Sequence, residues 1–166
     1  MFADAPSAAA TLTMYRCVEA SRSPADASRS ATYAGRWHHP AESLALYAAD
    51  DPDLSIAEWA GHVRPGVQEA DVSIGHLSIV GARVVRLADV AAHLRWPVGH
   101  LLDDGVGYMR AILVGTAACR AGVDVLLVPS AANPARLCAV CYMRHRPRIG
   151  VVAVRQQHIV LPYPPA

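Results

Sequence analysis

The sequence predicts one α+β domain: a mixed or largely antiparallel sheet with helices on its flanks. Three observations lead there. The length, 166 residues, corresponds to about one domain, and a chain of that size buries roughly two thirds of its unfolded surface. The β-type and helix-type runs follow one another without the regular alternation of a βαβ fold. The longest helical pattern, Gly107–Ala121, gives way directly to Val123–Val128, an apolar run between a glycine and a proline that reads as a buried strand.

The remaining elements follow in chain order. Residues 1–11 are Ala-rich with Pro6 and read as a loose tail, leaving 12–166 as the domain. Thr11–Glu19 alternates apolar and polar side chains and reads as a strand carrying Arg16. Residues 20–32, rich in Ser, Ala and Arg, read as a loop. Residues 41–49 and 54–63 are helix-prone, but Pro52 lacks an amide donor and restricts Asp51, so the run is broken there. A strand or short helix therefore ends near Tyr47, and a new helix capped by Asp53 or Ser55 carries Glu58. Residues 64–72 read as a loop. Ile74–Val80 and Ala82–Leu87, separated by Gly81, are a hairpin or one bulged strand. A short helical pattern lies within residues 88–104. Gly122 ends the long helix. Leu137–Met143, Ile149–Val154 and His158–Leu161 are further strand candidates.

Composition narrows the function classes. Fifteen basic residues against 14 acidic leave a formal charge of +1, a balance that does not favour a nucleic-acid or acidic-membrane binder. No apolar run approaches the roughly 20 residues of a membrane-spanning helix. The N-terminal residues lack the basic segment of a secretory signal. The expected location is the cytoplasm, where the four cysteines are thiols rather than disulfides.

Motifs narrow them further. There is no Walker loop, no GxGxxG after a strand, no GxSxG and no HExxH. Ser130 as the nucleophile of a Ser-His-Asp hydrolase has no ordered partners in sequence. Cys138 and Cys141 lie three apart on an apparent strand, so they face opposite sides, and the second ligand pair of a zinc site is missing. They read as small buried hydrophobes. The pair His38-His39 lacks a suitably spaced carboxylate for metal binding. The chain thus carries no metal signature. What remains is a polar set in apolar surroundings: Arg16, Arg36, Tyr47, Glu58 and Ser130. Arg36, Tyr47 and Glu58 are spaced by elevens, about three helical turns. Taken singly, each has an ordinary structural role: surface ion pairs for the arginines, a rim tyrosine, a solvated glutamate, a loop serine.

Taken together and in order, they resemble a known family. Tyr15-Arg16, Gly35-Arg36-Trp37, Ala45-Leu46-Tyr47, Ala57-Glu58-Trp59 and Val128-Pro129-Ser130 match the pattern of the RES-domain toxins, a resemblance over roughly residues 13–155. Two positions depart from it. His38 stands where the family usually has Asn after the Gly-Arg-Trp step, and Cys138 stands where an Asn usually follows the Pro-Ser segment.

The resemblance implies an ADP-ribosyltransferase-like fold and a toxin of a bacterial toxin–antitoxin pair. It implies an Xre-like antitoxin that covers the active site in a hetero-oligomer. It also implies consumption of NAD as substrate, by hydrolysis or phosphorolysis of the nicotinamide–ribose bond, or by transfer of ADP-ribose to a protein. A catalytically silent domain that only holds its antitoxin is the reading from another class.

The residue types suit the task. Guanidinium forks such as Arg16 and Arg36 match pyrophosphate oxygens. A carboxylate such as Glu58 stabilises the oxocarbenium ion that forms as the ribose loses nicotinamide. Tyr47 offers a ring face to nicotinamide, and Ser130 a hydrogen bond to Glu58 or ribose. Phosphorolysis requires a further anion site, for which His39, Arg22 and Arg29 are candidates. The apolar C-terminal segment, residues 161–166, is a candidate partner surface.

Overall fold

The computed structural model describes residues 2–162. Six strands and two α-helices follow the chain: β1 (Ala8–Glu19), β2 (Ala45–Ala49), α1 (Pro52–Ala60), β3 (Glu69–Arg86), α2 (Val106–Arg120), β4 (Val125–Pro129), β5 (Leu137–Tyr142) and β6 (Arg148–Val160). Short 3-10 turns complete them. The strand order is β1-β2-β5-β4-β3-β6, and β1 also pairs with β3. Five strands therefore close on themselves, and β6 is added outside along β3. Only β3 and β4 run parallel; the other pairings are antiparallel. The α+β class and the mixed sheet match the sequence expectation.

The spine is β3. Its 18 residues span about 60 Å at the usual strand rise. It pairs with β1 from Val84 down to Val72 and with β6 from Glu69 to Val80. The two β runs around Gly81 are thus one irregular strand and not a hairpin. Likewise, the two candidates after residue 148 are one strand, joined through polar Arg155 and Gln156, which are exposed, and half-buried Gln157.

Three other expectations are settled, two of them by correction. The first is the tail. Ala8–Ala10 pair within β1, Phe2 is buried in the main core, and Arg83 Nη2 donates to the carbonyls of Phe2 and Ala3. The apolar ring of Phe2 supplies the burial that an Ala-rich composition does not advertise. The second is residues 45–49, for which the sequence predicts a strand or a short helix: they form the strand β2 between β1 and β5, where tertiary pairing overrides helix-prone composition. The third is the start of α1. Asp51, not Asp53 or Ser55, is the cap: its Oδ1 accepts from the amides of Asp53 at 2.9 Å and Leu54 at 3.1 Å. Pro52 sits in the first turn, where its missing donor costs nothing.

The closed part of the sheet has two covered faces. Ala45, Ala49, Leu126, Val128, Cys138, Val140 and Tyr142 pack with α1 residue Leu54 and the inner side of α2. The alternate residues Leu46, Ala48, Val125, Leu127, Ala139 and Cys141 pack with Met14, Leu77, Ile79 and loop residue Ala27. Cys138 and Cys141 thus lie on opposite faces, as their spacing implies. The four cysteines are free thiols and buried. No described helix is long and apolar enough to cross a membrane.

Candidate active site

Glu58 projects from the last turn of α1 toward the end of β4. There the chain turns sharply after Pro129, and Ser130 is 1 % exposed. Ser130 Oγ donates to Glu58 Oε1. The amides of Ala131 and Ala132 donate to the same oxygen at 3.1 and 3.3 Å, and the Cys138 thiol approaches it at 3.7 Å. Ser130 Oγ also accepts from the amides of Ala132 and Asn133, each at 3.1 Å. That double acceptance fixes its own hydrogen on Glu58. These four contacts all fall on Glu58 Oε1.

The tight turn Gly35–His38 forms the second part. The Trp37 amide donates to the Tyr47 hydroxyl at 3.0 Å, and His38 Nδ1 lies 2.9 Å from that hydroxyl. A Cβ at Gly35 would sit 2.6 Å from the same hydroxyl, so only glycine admits Tyr47 this close. From behind, Tyr142 donates to the Trp37 carbonyl at 3.1 Å. Gly115 of α2 presses on that carbonyl so closely that a Cβ would lie 1.9 Å from its oxygen. Tyr47 lies within electrostatic reach of Cys138 and Arg36, and burial pushes its phenol well above the ordinary value. It is a hydrogen-bonding and stacking group there, not an ionising one.

Arg36 extends from this turn over the Tyr108 ring, 5.1 Å from guanidinium to centroid. Its Nη1 donates to the carbonyls of Leu101 at 3.1 Å and Asp103 at 2.9 Å, and its Nη2 to Asp104 at 3.1 Å. The Asp104 side chain is 98 % exposed, that of Arg36 15 %. A planar cation is thus held in one orientation and opposed by a single displaceable surface carboxylate.

The structure therefore unites Glu58 and Ser130 directly, and Tyr47 lies within electrostatic reach of Arg36 and of Cys138, the thiol that approaches Glu58. It does not bring Arg16 to this group. Arg16 follows the alternation of Met14, on the face of Cys141, and its Nη1 donates to the carbonyls of Pro24 at 2.9 Å and Asp26 at 2.8 Å. Burial and the neighbouring Arg22 lower its pKa to about 10. It props the loop 20–32 through these two carbonyls. Arg22 is paired with Asp26 at 2.6 Å and Arg29 with Glu19 at 3.5 Å. His39 Nδ1 accepts from the Ala41 amide at 3.2 Å. None of these three contacts Glu58. An open concavity of about 290 Å³ lies along β3 and β6, lined by Ala20, Asp71 and Gln156–His158, and none of the five candidates lines it. Residues 163–166 of the expected C-terminal partner surface lie outside the described residues.

Several functional neighbours escaped sequence reasoning: Tyr108, Asp104 and the amides of Ala131 and Ala132. Tyr108 and Asp104 come from segments with no motif, and the two amides directly follow Val128-Pro129-Ser130. Cys138 and His38 did carry a signal, as the two departures from the family pattern.

The site is thus a half-buried, serine-held carboxylate on a one-domain α+β fold, and the comparisons give the family. The RES domain model matches residues 13–164, so the chain belongs to the RES domain family. A search of curated proteins gives no match. Among solved structures, the fold is similar to a chain of the crystal structure of the M. tuberculosis MbcT–MbcA toxin–antitoxin complex. The TM-score is 0.72 at 17 % identity, covering 91 % of this chain and 86 % of that one.

Proposed function

We propose that the protein is a toxin that cleaves the nicotinamide–ribose bond of NAD, with water or phosphate as acceptor. The observation that carries the proposal is the Glu58 carboxylate, one oxygen of which is held by Ser130 and two backbone amides. Such a carboxylate is preorganised: it need not reorient when positive charge develops on the ribose. Glu58 Oε2 then faces the forming oxocarbenium ion. Nicotinamide leaves as a neutral ring, so no acid partner is required. Arg36 takes the pyrophosphate by exchanging Asp104 for phosphate oxygens, and the Tyr47 ring lies against the nicotinamide side. Arg16 serves the loop and stands outside this set.

By analogy with the complex whose fold it shares, the partner is an antitoxin protein, Xre-like in the family pattern, and the site of action is the cytoplasm. Transfer of ADP-ribose to a protein shares the first step and differs only in the acceptor.

Incubation of the purified protein with NAD, with and without phosphate, tests the proposal through nicotinamide release. Release that disappears in Glu58→Ala is expected, with free ADP-ribose or its phosphate ester as product. No release from NAD alone, with label from NAD on a macromolecule in lysate, replaces cleavage by protein modification. Undiminished cell toxicity of Glu58→Ala leaves only a silent antitoxin-binding domain.

A further inference from the structure

His38 sits in the crowded turn behind Tyr47, 3 % exposed, and its hydrogen bonds determine its tautomer. The Gly35 amide donates to Nδ1 at 3.1 Å, so Nδ1 carries no hydrogen. The Tyr47 hydroxyl, already accepting from the Trp37 amide, therefore donates to Nδ1 at 2.9 Å. The hydrogen of the ring lies on Nε2, which donates to the Ser30 carbonyl at 3.2 Å. One neutral imidazole thus ties three segments: the loop at Ser30, the turn carrying Arg36, and the strand carrying Tyr47.

A second proton on this ring has only Nδ1 to occupy. It would meet the Gly35 amide hydrogen head-on and leave that half-buried donor without its acceptor. It would also reverse the Tyr47 bond. Burial opposes the charge and outweighs the backbone carbonyls of Ser30 and Tyr33, which favour it. His39 adjoins the ring and opposes a further positive charge. Tyr47 on β2 and Tyr142 on β5 are neutral phenols held above their ordinary range by burial, and Arg36 stands beyond Tyr47. Cys119 of α2 and Glu42 line the small gap behind His38 and His39, and Glu42 is turned to Arg120 and Arg144.

We infer that His38 is a positioning residue. As the neutral, Nε2-protonated imidazole it holds Tyr47 and the Arg36-bearing turn in their working arrangement, and taking up a second proton releases both and lowers turnover. This rests on the NAD-cleaving reading of the site. It assigns to that site a sensitivity to mild acid that an amide at position 38 would lack. Asparagine has the same inventory, an acceptor oxygen for Gly35 and Tyr47 and a donor for Ser30, without a titrating group.

The experiment compares the full-length wild type, His38→Asn and His38→Ala in two readouts. Long-range proton–nitrogen NMR of the imidazoles, at about pH 7.5, reads the tautomer independently of any activity. NAD turnover is followed between about pH 5.5 and pH 8. The expected results are an Nε2-protonated His38, an acid limb in the wild-type kcat profile that is absent from His38→Asn, and a loss of about tenfold or more in His38→Ala. Recovery of most of that loss in His38→Asn is expected as well. An Nδ1-protonated or cationic ring at the higher pH overturns the inference, as does an acid limb unchanged in His38→Asn. Should His38→Ala fail to fold, the NMR result and the His38→Asn profile still decide. A wild type that shows the Nε2 tautomer but no NAD turnover counts against the proposed function and not against the clamp.

Discussion

Ser130 and Glu58 are 72 residues apart in the chain, and the serine hydroxyl donates directly to one carboxylate oxygen of the glutamate. The amides that follow Ser130 complete its hold on Glu58 and, by donating to Ser130 Oγ, aim its hydrogen. Ser130→Ala should therefore lower NAD turnover by about tenfold to hundredfold while leaving NAD binding nearly intact. It should also cost about 0.5–1.5 kcal/mol of stability through the hydrogen bonds lost with the hydroxyl. Steady-state kinetics alongside urea unfolding check both. A change confined to KM would mean that Ser130 serves substrate binding and not the orientation of Glu58.

Asp104 competes for the same guanidinium that the proposed pyrophosphate needs. Its pair with Arg36 is solvent-exposed on the carboxylate side, and exposed pairs are worth about 0–1 kcal/mol. Asp104→Asn should thus lower KM for NAD by about two- to fivefold with kcat unchanged. A raised KM would show that Asp104 orients Arg36 instead of opposing the ligand.

The floor of the site depends on a helix glycine. At Gly115 a methyl group would lie 1.9 Å from the Trp37 carbonyl oxygen, and neither backbone can yield without moving α2 off the sheet. Gly115→Ala should destabilise the fold by about 1–3 kcal/mol or more, read as a lowered Tm, even though alanine is the better helix former. An unchanged Tm would mean that the turn moves freely.

Acid should weaken the fold through His38. Burial lowers its pKa from the ordinary histidine value, so the unfolded chain binds the proton more readily than the folded one. Stability from this residue is complete above about pH 6.5 and is lost as pH falls below it. The exposed His158 has the opposite sign. Bonding to Asp71, then to Glu69, raises its pKa, so its contribution is present below about pH 6.5 and lost on raising pH; exposure keeps it small. Denaturant unfolding near pH 7.5 and 5.5 (about two units apart) should show a loss on acidification that His38→Asn reduces. An equal loss in that variant would assign the effect elsewhere.

The thiols should be unreactive in the native state. Burial pushes Cys17 and Cys141 up to about 12, and Cys119 and Cys138 also upward. Thiolate is the reactive form, so a thiol reagent should label the native protein slowly and all four cysteines on unfolding. Rapid labelling of Cys138 would reveal opening at Glu58.

Much of this was written locally in the chain. Pro52 after two aspartates set the break before α1 because a proline in the first turn starts a helix as surely as it stops one. Gly122, at φ +80°, ended α2 because a left-handed residue follows so many helices. The three-residue spacing of Cys138 and Cys141 put them on opposite faces because side chains alternate along a strand. Glu58, Ser130, Tyr47 and Arg36 were all legible as an ordered set, through their likeness to a family pattern.

Other features depended on the tertiary structure, because they are decided by pairing between distant segments and not by local preference. Residues 45–49 are helix-prone by composition, and only the flanking β1 and β5 make them a strand. Phe2 looked like part of a tail until the core around Leu87 and Val90 received it. Arg16 looked equivalent to Arg36, yet strand alternation turned it to the opposite face and the loop carbonyls took its donors. The sequence by itself determined the family pattern of residues and most of the elements that bear them. Which of those residues meet, and that a histidine behind the tyrosine must remain neutral to hold it, only the folded chain decided, since hydrogen bonds between segments tens of residues apart leave no periodic trace in the sequence.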